Sequence, residues 1–115
     1  MLVRRDTRTK EAVALANLAA RLSGALEGMQ KDLLERARAF VDANTTRVTS
    51  YEQFKDAMTT KWGFVVAGWN GDPAVEARIK EETKATIRVI PLEEREAPCV
   101  VTGQKGREVY FAQAY

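Results

Sequence analysis

The fold of this chain is decided by residues 62–91, which read WGFVVAGWNGDPAVEARIKEETKATIRVIP. The opening run Trp62–Trp69 is apolar, aromatic and β-branched, which predicts a buried strand. Asn70-Gly71 predicts a turn. Asp72-Pro73 then predicts a helix start, because aspartate caps free N–H groups and proline suits the first helical position. The helix leads into a second strand over Ala85–Pro91, so the segment is a β-α-β unit.

A second helix and further strands flank this unit. Thr45–Val48 is β-prone, and Thr49-Ser50-Tyr51-Glu52 reads as a capping box that starts a short helix. Downstream, an acidic loop over Leu92–Pro98 leads to the apolar run Cys99–Val101 and to a last strand over Arg107–Ala112. Strands and helices interleaved in this way predict an α+β fold, a two-layer β-α-β-α-β-β sandwich with a mixed sheet and helices on one face.

The residues before this sandwich predict a long amphipathic helical arm. Leu2-Val3 reads as a short strand that either pairs with a later segment or is the cut end of a larger protein, since a single strand has no stability alone. Between Lys10 and about Asn44 apolar side chains recur every seven residues, with Thr9 as the expected N-cap. The pattern is typical of a coiled coil or a packed amphipathic helix. Its stripe consists of Leu15, Leu22, Leu26, Met29, Leu33 and Phe40.

Composition excludes several kinds of chemistry. The 115 residues contain no histidine, which removes histidine bases, triads and metal ligands. The single cysteine permits no internal disulfide. A net charge of +2 gives no strong electrostatic case for nucleic acid. The basic N-terminus is followed by no apolar run of signal-peptide type, and no run approaches membrane-spanning length. A cytoplasmic protein is the expectation.

Two short loops have the spacing of a zinc-knuckle pair, one of the form C-x4-C and the other C-x2-C-G. Of the four ligand positions only Cys99 holds a cysteine, and the others hold Asn70, Val75 and Thr102. A zinc site needs several thiolate or imidazole ligands, so bound metal is not expected. Cys99 itself is expected to be a small buried apolar residue, because no histidine is present to activate it.

Basic residues beside aromatic ones offer a different reading. Lys61 next to Trp62, and Lys105 and Arg107 near Tyr110, could contact RNA from an open sheet face. An independent RNA-binding or tRNA-binding module is therefore the alternative function. Phosphate-binding glycine motifs are absent, and the Gly103 to Gly106 spacing is that of a hairpin.

The chain resembles the C-terminal domain of prolyl-tRNA synthetases of the archaeal/eukaryotic type. That family carries a run close to KIKEETKATIRCIPL, matched here by residues 79–92, and a CGDPxCE loop, matched by Asn70–Glu76. Its CxxCG loop is matched by Cys99–Gly103, and its FAKAY-like ending by Phe111–Tyr115. The opening Val3–Thr7 resembles the last strand of the family's anticodon-binding domain.

The resemblance implies a role inside a larger enzyme. The family's members are class II aminoacyl-tRNA synthetases that join proline to its tRNA with ATP, and they are cytoplasmic homodimers. Their C-terminal domain folds back onto the catalytic domain, with the terminal tyrosine, here Tyr115, reaching toward the active site. Many members hold zinc on four cysteines. Three of those positions differ here, so zinc is expected to be absent, with Val75 as an apolar filler.

The resemblance divides the chain into three parts. Residues 1–8 correspond to a remnant strand of the anticodon-binding domain, residues 9–44 to a linking helix or helices, and residues 45–115 to the C-terminal domain. No class II catalytic motif fits in this length, so the ATP and magnesium sites would lie in a catalytic domain that this chain lacks. We therefore expect a structural domain that supports the catalytic domain and is inactive alone.

Overall fold

A computed structural model describes residues 1–114, which form two compact units that divide after Asp42. The first unit contains strands β1 (Leu2–Val3) and β2 (Lys10–Glu11), a 3-10 turn (Leu15–Asn17) and helix α1 (Leu18–Ala43). The second contains seven elements in the order strand, helix, strand, helix and three strands. They are β3 (Thr45–Arg47), α2 (Tyr51–Thr60), β4 (Phe64–Trp69), α3 (Pro73–Thr83), β5 (Ala85–Val89), β6 (Glu96–Pro98) and β7 (Lys105–Gln113).

The first unit begins with a hairpin, which confirms one alternative for the first strand and contradicts the expected start of the helix. Strand β1 pairs with a later segment, because Leu2 lies opposite Glu11 in an antiparallel ladder with β2. Helix α1 begins at Leu18 rather than at Lys10, and Thr9 does not cap it. The reason is that Lys10 and Glu11 are used in the ladder, and the carbonyl of Thr9 accepts a hydrogen bond from the N–H of Arg4 to close the hairpin turn.

Within the basic N-terminus, Arg4 forms specific ion pairs. The guanidinium of Arg4 donates to the carboxylate of Asp6 at 2.7 Å and to that of Asp32 on α1 at 2.6 Å. Arg36 lies 3.7 Å from Asp6. The side chain of Asp6 is only 8% exposed, so these contacts fix the hairpin loop against the helix.

The apolar stripe on α1 is present as predicted, but much of it faces outward. Leu26 is 63% exposed and Leu33 is 47% exposed. The hairpin contacts another side of the helix, near Gly28 and Asp32. The stripe thus keeps the period of a helix-packing surface while the described residues leave many of its side chains open to solvent.

The second unit confirms the α+β fold with a mixed sheet. The strand order is β3-β4-β7-β5, and β6 pairs with the first residues of β7. Strands β3 and β4 run parallel, and the other pairs are antiparallel. Strand β6 was not predicted. Its residues carry charge and no apolar alternation, and it exists because Glu96, Ala97 and Pro98 find partners on β7.

The core lies between the sheet and the two helices α2 and α3. Phe54 from α2 packs edge-on against Phe111 of β7 with ring centroids 5.0 Å apart, and both side chains are fully buried. Val109 and Phe111 share this face, and Tyr110 points to the other, as the alternation predicted. Further core residues come from both helices and from strands β4 and β5, namely Ala57, Met58, Val75, Ile79, Val65, Ala67 and Ala85.

The helix caps agree with the sequence at α3 and differ at α2. Asp72 caps α3 by accepting from the N–H of Ala74 at 2.8 Å, as predicted. The cap of α2 is Ser50 rather than Thr49, and Ser50 accepts from the N–H of Gln53. The side chain of Gln53 returns to the N–H of Thr49, so the reciprocal box stands one residue later than predicted and uses a glutamine.

One backbone position of the outer strand β5 is occupied by a helix side chain. The N–H of Ile87 donates to a carboxylate oxygen of Glu76 on α3 at 3.3 Å. Strand β5 is at the end of the sheet order and has β7 as its strand partner. A helix side chain therefore takes one ladder position that another strand would otherwise use.

Candidate functional site

The two loops with knuckle spacing lie side by side. The first leaves β4 through Asn70 and Gly71, whose φ of +86° suits glycine. The second loop follows β6. The N–H of Cys99 donates to the carbonyl of Gln104, and the N–H of Gly103 donates to the carbonyl of Cys99 at 2.8 Å, which closes the turn. These turns bring both loops to the same end of the sheet.

Several bonds tie the loops together. The N–H of Val100 donates to the carbonyl of Gly68 at 2.9 Å, and Gly68 and Cys99 form an isolated parallel bridge. The amide nitrogen of Asn70 donates to the side chain of Gln104 at 3.0 Å. The sequence prediction that these loops form one frame is therefore consistent with their geometry.

Cys99 is the buried centre of this frame. Its side chain is 3% exposed and belongs to the hydrophobic core, as expected. Burial alone raises the pKa of the Cys99 thiol. Hydrogen bonds from the Thr102 hydroxyl and from the N–H groups of Thr102, Val101 and Asn70 outweigh it, so the pKa lies below its usual value. Two of the four knuckle positions, Asn70 and Thr102, therefore contact the third, Cys99.

The donor set of this frame does not fit zinc. Val75, at the fourth position, has no ligand atom and is packed in the core with Cys99. The oxygens of Asn70 and Thr102 accept hydrogen bonds from the N–H groups of Asp72 and Gln104. Among residues 1–114 no group of three or more histidine, cysteine, aspartate or glutamate side chains is placed to hold a metal ion. One thiol with neutral oxygens is a poor zinc site.

Tyr115, the residue predicted to face an active site, lies outside the described residues. The strand that leads to it is anchored, because the side chain of Gln113 donates to the carbonyl of Thr83 at 2.8 Å. This bond connects the end of β7 to the end of α3.

Two of the three basic residues considered for RNA contact, Lys105 and Arg107, have acidic partners. Lys105 lies 2.6 Å from Glu96, and Arg107 lies 2.8 Å from Glu94. Successive side chains of a strand point to opposite faces, and Lys105 and Arg107 are an odd number of residues from Tyr110 on β7. They therefore lie on the opposite face of the strand from Tyr110. This pairing and placement weaken the basic-aromatic arrangement that the sequence suggested at this strand.

A polar cluster between α2 and α3 was missed by the sequence reading. The carboxylate of Glu82 accepts from the Tyr51 hydroxyl at 3.0 Å, from Arg78 at 2.8 Å and from Lys55 at 3.4 Å. The Lys55 ammonium also lies 4.6 Å from the centre of the Tyr51 ring. Only the Arg78–Glu82 pair, four apart on a helix, had a local signal in the sequence.

This cluster predicts two losses of stability with pH. Hydrogen bonds from Arg78 and then Tyr51 lower the pKa of Glu82, so its contribution is present above the ordinary carboxyl pKa and is lost as pH falls through the lowered value. Burial and then the bond to Glu82 raise the pKa of Tyr51 to about 12, so its contribution is complete below the ordinary value of 10.0 and is lost between there and about 12.

Urea unfolding across pH, combined with ultraviolet titration of tyrosine, measures both effects. We expect Tyr51→Phe to remove the alkaline loss and one late-titrating phenol, while Tyr110→Phe keeps both. A late-titrating phenol that persists in Tyr51→Phe would contradict the assignment.

No helix in the described part of the chain is long and apolar enough to span a membrane.

Comparison with known proteins identifies the family. The family model described as "Prolyl-tRNA synthetase, C-terminal" matches residues 51–115. The chain is 48% identical to a proline–tRNA ligase of Rubrobacter xylanophilus over the whole chain, which covers 24% of that protein. It is 42% identical to one of Lachnospira eligens and 41% identical to one of Flavobacterium johnsoniae, at 25% and 24% of their lengths. The chain thus spans about a quarter of these curated relatives. It belongs to the prolyl-tRNA synthetase C-terminal domain family.

Proposed function

We propose that this chain is the structural, non-catalytic C-terminal domain of a proline–tRNA ligase. In this proposal the catalytic and anticodon-binding domains of the same cytoplasmic, homodimeric enzyme are its partners, and tRNA and ATP are bound by those domains. The observation that carries the proposal is the whole-chain match to a quarter of each relative. The described residues support it, because the frame around Cys99 is built from packing and internal hydrogen bonds rather than from reactive groups.

The experiment that tests this role replaces the matching segment of the Rubrobacter xylanophilus ligase by this chain. We call the resulting protein the exchanged ligase. We expect deletion of the matching segment to lower aminoacylation of tRNA at least tenfold, which corresponds to about 1.4 kcal/mol in the free energy of activation. We expect insertion of this chain in its place to restore most of the activity. The 115-residue chain alone should neither activate proline with ATP nor aminoacylate tRNA.

Two outcomes would overturn this role. A ligase that lacks the segment and is as active and stable as the intact one has no need of support from it. Turnover by the isolated chain would instead make it an enzyme. Salt-dependent binding of tRNA to the isolated chain at micromolar concentration would favour the RNA-binding module.

We also propose that Tyr115 acts at the active site of the whole enzyme. The proposal rests on the family resemblance, in which a terminal tyrosine reaches the active site and its carboxylate would accept hydrogen bonds from a basic or amide-lined pocket. Removing Tyr115 from the exchanged ligase is expected to lower proline activation, measured by pyrophosphate exchange, by about tenfold or more, the scale of one lost charged hydrogen bond. The control is a Tyr115→Phe variant, which keeps the carboxylate and should retain most activity. Equal activity after deletion would refute this role.

Zinc is not part of the proposed function. The residues at the four knuckle positions supply one thiol, two neutral side-chain oxygens already in hydrogen bonds, and one apolar side chain. Elemental analysis of the purified chain measures this directly, and stoichiometric zinc would contradict the proposal.

A further inference from the structure

Trp62 is exposed in a way that tryptophan seldom is. Its side chain is 91% exposed. The other tryptophan, Trp69, packs against the core and donates its indole N–H to the carbonyl of Asp72 at 3.0 Å. Large aromatic side chains left open on a surface are characteristic of binding sites, because their burial contributes more than that of other side chains.

The backbone holds Trp62 outward between two fixed points. On one side, the N–H of Lys61 donates to the carbonyl of Ala57 at 3.0 Å and ends α2. On the other, Gly63 has a φ of +118°, and a Cβ there would lie 2.0 Å from the carbonyl oxygen of Asn44. The next N–H, that of Phe64, donates to the same oxygen at 2.9 Å. Only glycine fits position 63, so the presentation of Trp62 is set in advance of any partner.

A cavity of about 410 Å³ opens beside Trp62. Met58, Phe64 and Ala112 give it an apolar wall, and Lys61 is the one charged side chain among the described residues that line it. The lining thus suits an uncharged, apolar group. It offers too little positive charge for a nucleic-acid backbone, which needs several lysines or arginines. We call Trp62 and this cavity the Trp62 surface.

We propose that the Trp62 surface is where this domain docks on the rest of the ligase polypeptide, which inserts an apolar or aromatic side chain beside Trp62. The inference rests on the proposed function. The chain matches only about a quarter of each relative, so three quarters of the polypeptide are available as the partner. Because that partner is covalently linked, its effective concentration is high and a patch of this modest size suffices.

Hydroxyl-radical footprinting with mass spectrometry tests this docking on the exchanged Rubrobacter xylanophilus ligase and on the 115-residue chain. We expect oxidation of Trp62 to be several-fold slower in the ligase than in the chain. Leu92, which is fully exposed elsewhere on the same unit, is the internal reference and should react at the same rate in both.

The outcomes separate the partners and the two proposals. Equal oxidation of Trp62 in chain and in active ligase overturns the docking while leaving the structural role in place. Protection of Trp62 that appears only when tRNA is added would assign the Trp62 surface to RNA and overturn the docking proposal. Protection that depends on the concentration of the isolated chain would assign the surface to a second copy and would also overturn the proposal.

A pair of matched variants gives an independent readout. Trp62→Ala in the exchanged ligase is expected to increase the rate at which a protease releases the segment and to lower aminoacylation, whereas Leu92→Ala is expected to change neither. Identical behaviour of the two variants would overturn the proposal. Circular dichroism of the isolated Trp62→Ala chain should be unchanged, because an exposed side chain contributes little to folding.

Discussion

Replacing Gly68 by alanine is expected to destabilise the second unit by about 3 kcal/mol or more, among the largest effects of any single substitution in this chain. A Cβ at this position would lie 2.0 Å from the carbonyl oxygen of Pro98 and 3.0 Å from that of Ala97. Both obstacles are backbone atoms, so no side chain can rotate to make room. The added methyl group must push β4 away from the segment that carries Cys99. This separation would also break the hydrogen bond from the N–H of Val100 to the carbonyl of Gly68.

Urea unfolding of the chain, followed by circular dichroism, measures this loss. Two other glycines are controls. Gly71→Ala has open space around its Cβ but a φ of +86°, so only the backbone conformation costs energy, about 1 kcal/mol. Gly24→Ala stands inside α1 with nothing within 4 Å, and we expect it to stabilise that helix by about 0.5–1 kcal/mol. A Gly68→Ala chain as stable as Gly71→Ala would show that the two loops do not pack as closely as described.

The combined substitution Asn70→Cys, Val75→Cys and Thr102→Cys is expected to create a zinc site. The N–H groups of Asn70 and Thr102 reach Cys99, so thiols at those positions would lie close to its sulfur. Val75 is already in the same buried cluster as Cys99. Four thiolates in tetrahedral array bind zinc with an apparent free energy on the order of 10 kcal/mol. The expected result is one zinc per chain and a large zinc-dependent rise in the unfolding midpoint.

Elemental analysis and unfolding with and without a chelator measure this gain. The matched control adds Cys99→Ser to the same three substitutions, and it should bind zinc much more weakly because one thiolate is missing. A fully substituted chain that folds but holds no zinc would mean that the four positions do not converge. Zinc binding would show that packing and hydrogen bonds hold the four positions in a ligand geometry without a metal.

Much of the second unit could be predicted because local and long-range signals agree there. The apolar run that became β4, and the aspartate and proline that begin α3, act on their immediate neighbours and need no distant partner. Strand β6 could not be predicted for the opposite reason. Its pairing depends on the start of β7, and Glu96 and Pro98 carry no strand preference of their own.

The same distinction explains the errors near the N-terminus and at the candidate site. Lys10 and Glu11 have good helix propensity, yet the hairpin with Leu2 and Val3 uses them as a strand, because tertiary pairing overrides a weak local preference. Loop spacing and family resemblance predicted one frame for Asn70, Cys99 and Thr102, and the hydrogen bonds around Cys99 are consistent with it. The cluster around Glu82 was not predicted, since Tyr51 is 31 residues away and only the folded chain brings them together.

The hydrogen bond between the N–H of Ile87 and the carboxylate of Glu76 also affects how the edge of the sheet can pair with other strands. A strand at the edge of a sheet has unpaired backbone groups that can pair with a strand of another copy of the chain. With one rung of that edge occupied by an acid from its own helix, an incoming strand would have to displace the acid before it could begin to pair. The contact between Glu76 and Ile87 therefore makes edge-to-edge pairing at this position of β5 less favourable.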